Sequence, residues 1–315
     1  MATDEGGRYR VAVVQVPPVV LDRQATLARA VEKVGEAADN GARLVAFSEA
    51  FVPGYPDWIW RLRPDNFTTT AEIWKRFLAQ TVDLERDELQ PLREVAERRK
   101  VAISVGINER EGGFSRTTVY NTVVVIGADG DIALRHRKLI PTNAERMVWG
   151  AGDGVGLEAV ETPVGRAAGL ICWENYMPLA RFALFASGVQ IYLAPTWDMG
   201  DRWVGSMRHI AFEGGCWVLG CGSVMRATDI PADLPRRAEL YPDPEEWVNH
   251  GDSVIVAPGG EIVAGPLRDV EGILYADCDP EKASRGRRML DVAGHYGRPD
   301  VFHVTVDRSP RHPVD

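Results

Sequence analysis

Two stretches, YNTVVVIGADGDIALRHRK (120–138) and DSVIVAPGGEIVAGP (252–266), place β-branched runs on either side of Asp129-Gly130 and Gly259-Gly260. Such runs around a glycine-containing turn read as β-hairpins. They constrain the fold because each follows short apolar strands that alternate with helical-period segments, an order that builds βαβ units before it turns antiparallel. Before the first hairpin come YRVAVVQV (9–16), a helix from Arg23 to Asn40 closed by Gly41, RLVAFSE (43–49), helices near 71–80 and 85–100, and KVAISVGINE (100–109). Before the second come RAAGLIC (166–172), VQIYLAP (189–195) and CWVLGCGSV (216–224), with helices near 178–187 and 203–214. GILYADCD (272–279) reads as a last strand. The likeness of the two halves predicts an internal pseudo-repeat and mixed sheets covered by helices, an α/β architecture that some schemes class as α+β.

No Ser/Gly linker divides the halves, so residues 1–315 read as a single domain with a loose tail at 304–315. The interval 226–247 reads as one long loop. A net charge of −9 without a basic block argues against nucleic acid or an anionic membrane as a partner. MATDEGGRYR carries acids where a signal peptide carries a basic region and an apolar stretch, and no run reaches the ~18 apolar residues of a membrane helix. The expected location is the cytoplasm, with Cys172, Cys216, Cys221 and Cys278 as reduced thiols. With no CxxC, HExxH, P-loop or GxGxxG pattern, neither a metal nor a cofactor is expected.

Three polar residues end apolar strands. Cys172 closes RAAGLIC and precedes a helix predicted to start at Pro178, where N–H groups and the helix dipole favour a thiolate. Glu49 closes LVAFSE, a run apolar on both faces. Lys138 ends the first hairpin and is one of five lysines in a chain that otherwise uses arginine. Glu145 lies seven residues beyond it. Taken singly, these have ordinary structural readings: a core thiol, a carboxylate reaching solvent, a snorkelling lysine and the first turn of a surface helix. No histidine occupies a comparable strand end to serve as a base for the cysteine, which makes Glu49 the candidate.

The order Glu, Lys, Cys along the chain resembles the nitrilase branch of the carbon-nitrogen hydrolase superfamily. The resemblance runs from about residue 8 to residue 303, through FSEAFVPGYPDWIW (47–60), HRKLIPTNAERMVWG (136–150), CWENYMPLAR (172–181), APTWD (194–198), RHIAFEGGCWVLG (208–220) and GHYGRPDVF (294–302). One departure is HGDS (250–253), where nitrilases often show a more glycine-rich stretch. The resemblance implies a four-layer αββα sandwich and a homodimer through its helices or a larger, helical homo-oligomer. It implies Cys172 as nucleophile, Glu49 as general base, Lys138 as the cation for the tetrahedral intermediate and Glu145 as an auxiliary carboxylate. It places Tyr55, Thr142, Trp173, Trp197 and Met199 around a small nitrile substrate, and their aromatic surface suits an aryl or arylaliphatic one. A Cys-dependent amidase or carbamoylase shares the triad and stands as the alternative. A cyanide-degrading enzyme and a non-catalytic binding or assembly protein are the remaining readings. A papain-type hydrolase lacks its CGSCW sequence here.

Overall fold

The computed structural model describes residues 7–311. Its first sheet has the order β13-β1-β2-β3-β4-β5, with β1 Tyr9–Gln15, β2 Ala42–Ala46, β3 Ala102–Arg110, β4 Val119–Ile126, β5 Ile132–Arg137 and β13 Gly272–Cys278. The second has the order β10-β11-β9-β8-β7-β6, with β12 paired to β11. Its strands are β6 Val160–Thr162, β7 Gly165–Gly169, β8 Ile191–Thr196, β9 Trp217–Gly222, β10 Val224–Arg226, β11 Trp247–Val256 and β12 Ile262–Arg268. In each sheet three parallel strands are followed by antiparallel ones: β1, β2 and β3 then β4, and β7, β8 and β9 then β11. This is the pseudo-repeat expected from the two hairpins, which form as β4–β5 and β11–β12. β13 crosses back to pair antiparallel with β1 and ties the halves together.

Alternate residues along the strands show how the layers stack. On β1, Ala12 and Val14 pack against the helices α1 (Arg23–Asp39) and α3 (Gln90–Arg99), whereas Val11 and Val13 point into a cluster shared with the second sheet. On β8, Ile191 and Leu193 enter that shared cluster while Tyr192 and Ala194 face α4 (Pro178–Ala186) and α5 (Asp201–Gly214). Because side chains alternate with period two, each strand serves two cores at once, and the result is an αββα sandwich. Helix α2 (Phe67–Gln80) lies on another cluster beside the site.

Several boundaries differ from expectation. The helix expected near 85–100 begins at Gln90, because Asp87 takes a left-handed φ of 53° after a 3-10 turn at Leu84–Arg86. The interval 226–247 is a packed segment with a short helix, α6 (Arg237–Leu240). Its Leu234, Leu240 and Tyr241 are buried with Trp58 and Ile59, and Arg61 bonds Glu246. A further short helix, α7 (Pro280–Gly286), follows β13. Of the tail expected to be loose, residues 304–311 carry no helix or strand yet are tethered: Arg308 donates to the carbonyl of Leu157 at 2.9 Å and Arg311 N–H to Asp153 at 3.2 Å. Residues 312–315 lie outside the described ones. Among the described residues, no helix is long and apolar enough to cross a membrane.

Gly106 on β3 shows how closely the fold holds the turn after β2. A Cβ there would overlap the carbonyl of Ser48 and the amide of Ala50, the two neighbours of Glu49. Gly106→Ala is therefore expected to cost about 1–3 kcal/mol, the usual range for overpacking, and to displace Glu49. Urea unfolding read beside activity checks both effects.

Candidate active site

The site forms where strands of both sheets end, as is usual for open α/β sheets. Glu49 follows β2, Lys138 follows β5, Cys172 comes three residues after β7 and Trp197 follows β8. The structure brings together all four residues that the sequence singles out for chemistry, and Glu49, Lys138, Glu145 and Cys172 are each at most 4% exposed.

Lys138 is the hub. Its ammonium donates to Glu49 Oε1 and to Glu145 Oε2, both at 2.8 Å. Glu49 Oε1 also accepts from Asn121 Nδ2 at 2.6 Å, and its Oε2 accepts the backbone N–H of Trp197 at 2.6 Å. Glu145 sits in a 3-10 turn, Asn143–Met147, that begins after Thr142. Its Oε2 takes the Thr142 N–H at 2.6 Å and its Oε1 takes the Tyr55 hydroxyl at 2.8 Å. Every polar atom of the ammonium–carboxylate ladder thus faces a partner, which a buried charge requires.

Charge within this ladder follows from burial and proximity. Burial raises the Glu49 carboxyl; Lys138 opposes this and Glu145 adds to it, leaving the group above the ordinary carboxylate range. Burial alone would neutralise Lys138, but Glu49, Cys172 and Glu145 hold it as an ammonium. The Cys172 thiol is pushed well above its usual value by burial and by Glu49, against the pull of Lys138. This corrects the expectation of a dipole-stabilised thiolate. Cys172 begins a 3-10 turn, Cys172–Tyr176, and α4 starts six residues later. Its resting form is a thiol beside a carboxylate that can take the proton.

Cys172 has a φ of 53°, a left-handed conformation that costs a non-glycine residue of order 1–3 kcal/mol. Two neighbours that sequence reasoning passed over hold it there. Asn175 Nδ2 donates to the carbonyls of Cys172 at 2.7 Å and Leu170 at 3.1 Å. Glu174, 1% exposed, accepts the N–H of Ile171 and the N–H of Leu139, each at 2.7 Å. One carboxylate thereby ties the residue before Cys172 to the residue after Lys138. Its third partner is His136 Nε2 at 3.1 Å, while His136 Nδ1 is buried without a partner. The burial of a glutamate inside CWEN was legible only as part of that motif, since nothing local distinguishes it from a solvated turn residue.

The mouth is a cleft of about 330 Å³ lined by Tyr55, Thr142, Cys172, Trp173, Trp197 and Met199, together with Trp60, Asn143, Glu145 and Asp198. All five residues expected around the substrate therefore lie on it. Tyr55 stacks on Trp197 with ring centroids 4.2 Å apart and planes 4° from parallel. Trp173 stands at the rim, half exposed. The loop 51–60 divides its roles: Tyr55 and Trp60 face this cleft, and Trp58 and Ile59 line a separate apolar groove. Among the described residues no cluster of three or more side chains is arranged to hold a metal.

A buried cysteine, a carboxylate base and a fixed ammonium beside an aromatic cleft are the equipment for nucleophilic attack on a carbon–nitrogen bond. The chain belongs to the carbon-nitrogen hydrolase family, whose model matches residues 10–288. It is 39% identical to an aliphatic nitrilase of Sinorhizobium fredii (strain HH103) over 98% of both chains. It is also 39% identical to a bifunctional nitrilase/nitrile hydratase of Lupinus angustifolius, over 97% of this chain and 88% of that one. The solved carbon-nitrogen hydrolase of Helicobacter pylori G27 superposes with a TM-score of 0.69 at 21% identity, covering 95% of this chain and 98% of that one, and shares the fold.

Replacing Glu174 by Gln puts an NH₂ against one of two backbone N–H donors and leaves that donor unpaired. The expected loss is about fivefold to a hundred-and-fiftyfold in kcat with KM changed much less, consistent with ~1–3 kcal/mol for an unsatisfied buried group. Steady-state kinetics, with thermal unfolding as a control, checks it.

Proposed function

We propose that this protein is a nitrilase that converts an aryl or arylaliphatic nitrile and two waters to a carboxylic acid and ammonia. The observation that carries the reading is a buried Cys172, its thiol raised in part by Glu49, whose carboxylate is tied to Lys138 and to the Trp197 N–H. Glu49 takes the thiol proton as sulfur bonds to the nitrile carbon, and the proton passes to nitrogen, giving a thioimidate. Water then adds to the thioimidate carbon with Glu49 as base. Collapse with loss of ammonia leaves a thioester, and a second water releases the acid and restores the thiol. Expulsion of the thiol instead of ammonia would release an amide.

Lys138 and the backbone N–H of Trp173 are assigned to the charge that develops in the tetrahedral species, a task worth ~3–4 kcal/mol per good donor. Glu145 holds Lys138 in place and carries the Tyr55 hydroxyl, so it acts on the chemistry through the lysine. The stacked Tyr55 and Trp197 support the aromatic preference, since offset rings form a flat apolar wall with little entropy left to lose. The first relative named above is an aliphatic nitrilase, so the walls of the cleft, not overall identity, support this substrate class.

We further infer a homodimer through α4 and α5. Leu179 and Phe212 on these helices are 67% and 55% exposed, and the adjoining cleft of about 720 Å³ is lined by Phe182, Tyr296 and Phe302 as well. Leu179→Asp is expected to shift light-scattering mass toward the monomer, whereas an unchanged mass removes this face from the assembly.

Ammonia release, with acid and amide separated by chromatography, is the test of activity. The panel is phenylacetonitrile, benzonitrile, an aliphatic dinitrile, cyanide and the matching amides. Acid from the aryl nitriles is expected, absent in Cys172→Ala and reduced about 10²–10⁴-fold in Glu49→Gln. Turnover of amides alone would make it an amidase. Because the Glu49 carboxyl lies above the usual range and must be ionised to act as base, kcat/KM is expected to fall on the acid side at a pH above the ~4.3 of an ordinary glutamate. A flat profile through that region would remove Glu49 as the base.

A further inference from the structure

The Trp197–Gly200 loop supplies three residues of the cleft, Trp197, Asp198 and Met199, as well as the N–H that Glu49 accepts. It is pinned at both ends from β11. At one end Asn249 Nδ2 donates to the Trp197 carbonyl at 2.6 Å. Asn249 is fully buried and its Oδ1 accepts the Gly251 N–H at 3.0 Å, so its amide cannot turn over without losing both bonds. At the other end Asp252 Oδ2 accepts the Gly200 N–H at 2.7 Å. Asp252 is also fully buried, has a φ of 63° and is gripped by Arg268 through two bonds of 2.8 Å. Gly251 between them has a φ of 97°, and a Cβ there would overlap the Gln15 side chain, whose Oε1 takes the Ser253 N–H.

Residues 249–253, HGDS with the asparagine before it, therefore form a bracket for the loop. Inside the loop the peptide after Trp197 is held on both sides, because the Asp198 N–H donates to Thr196 Oγ1 at 2.7 Å while Asn249 takes the carbonyl. Asp198 in turn accepts the Tyr176 hydroxyl at 2.8 Å. No hinge remains between β11 and the indole that stacks on Tyr55.

We propose that Asn249 and Asp252 are specificity-positioning residues: they set the height of the Trp197–Gly200 loop over Cys172 and so determine which side chain a substrate can carry. They touch neither the reacting atoms nor the substrate; they act through Trp197 and Met199. The proposal takes its pocket occupant, a flat aryl group, from the nitrilase reading above. Its test does not require turnover.

The measurement is the rate at which Cys172 is alkylated by 2-bromoacetophenone divided by the rate with iodoacetamide, read by mass spectrometry of the Cys172 peptide with Cys172→Ala as blank. Asn249→Ala and Asp252→Ala are each expected to lower this aryl-to-alkyl ratio about tenfold or more, the scale on which pocket shape discriminates. Asp252→Asn keeps an oxygen for the Gly200 N–H but sets an NH₂ against an Arg268 donor, so it is expected to lower the ratio less than Asp252→Ala does. Val254→Ala, on the same strand and outside the bracket, should destabilise the fold without moving the ratio. If the alanine variants do not fold, Asn249→Asp, which sets an acceptor against the Trp197 carbonyl, must lower the ratio in their place. An unchanged ratio in folded Asn249→Ala and Asp252→Ala, or in Asn249→Asp where these do not fold, or an equal change in Val254→Ala, overturns the proposal. Nitrile turnover by the same wild-type sample tests the nitrilase reading separately.

Discussion

An ammonium enclosed between two carboxylates and buried with them is the constraint around which this molecule is arranged. Lys138, Glu49 and Glu145 are all buried, and removing such charges from solvent costs several kcal/mol per ion even after relaxation. The cost is offset only if each oxygen and each N–H has a partner at good distance. That need explains the attending groups: Asn121 and the Trp197 N–H on Glu49, and Tyr55 and the Thr142 N–H on Glu145. These partners come from both sheets, so the charges can be satisfied only when the sandwich is closed.

In the mechanism we propose, Cys172 is prepared by the neighbouring Glu49 and not by the depressed pKa that a helix N-terminus would confer. Burial and the neighbouring Glu49 raise the Cys172 thiol, and burial raises the Glu49 carboxyl against the pull of Lys138. A neutral thiol is also a poor target for adventitious oxidation, which acts on the thiolate. The left-handed backbone at Cys172 turns the sulfur toward the cleft, and Glu174 with Asn175 opposes its relaxation. Strain at the reacting residue is thus balanced by hydrogen bonds one turn away.

Chemistry and selectivity are held by different parts of the second sheet. The end of β7 carries the sulfur, while the end of β8 carries the aromatic wall and the N–H that completes the base. β11 is separated from β7 by β9 and β8 and meets the Trp197–Gly200 loop through Asn249 and Asp252.

Much of this was readable from the chain. Alternating β-branched runs and helical-period segments specify the strands, most helices and both hairpins, because side-chain periodicity reflects which faces are buried. The Glu49, Lys138 and Cys172 positions were visible as polar residues closing apolar runs, although each alone passes for an ordinary strand end, and their shared motif order is what gathered them. The 226–247 segment was misread as a loop, since its burial depends on Trp58 and Ile59 about 170 residues away. Glu174, His136, Asn249 and Asp252 were silent for the same reason: a polar residue in a turn looks the same in sequence whether it meets water or a backbone N–H from another strand. The protonation of Cys172 was hidden too, because desolvation is a property of the packed site. Local periodicity and residue type are encoded along the chain, whereas burial, charge state and the partners of each polar atom arise only when distant strands close over one another.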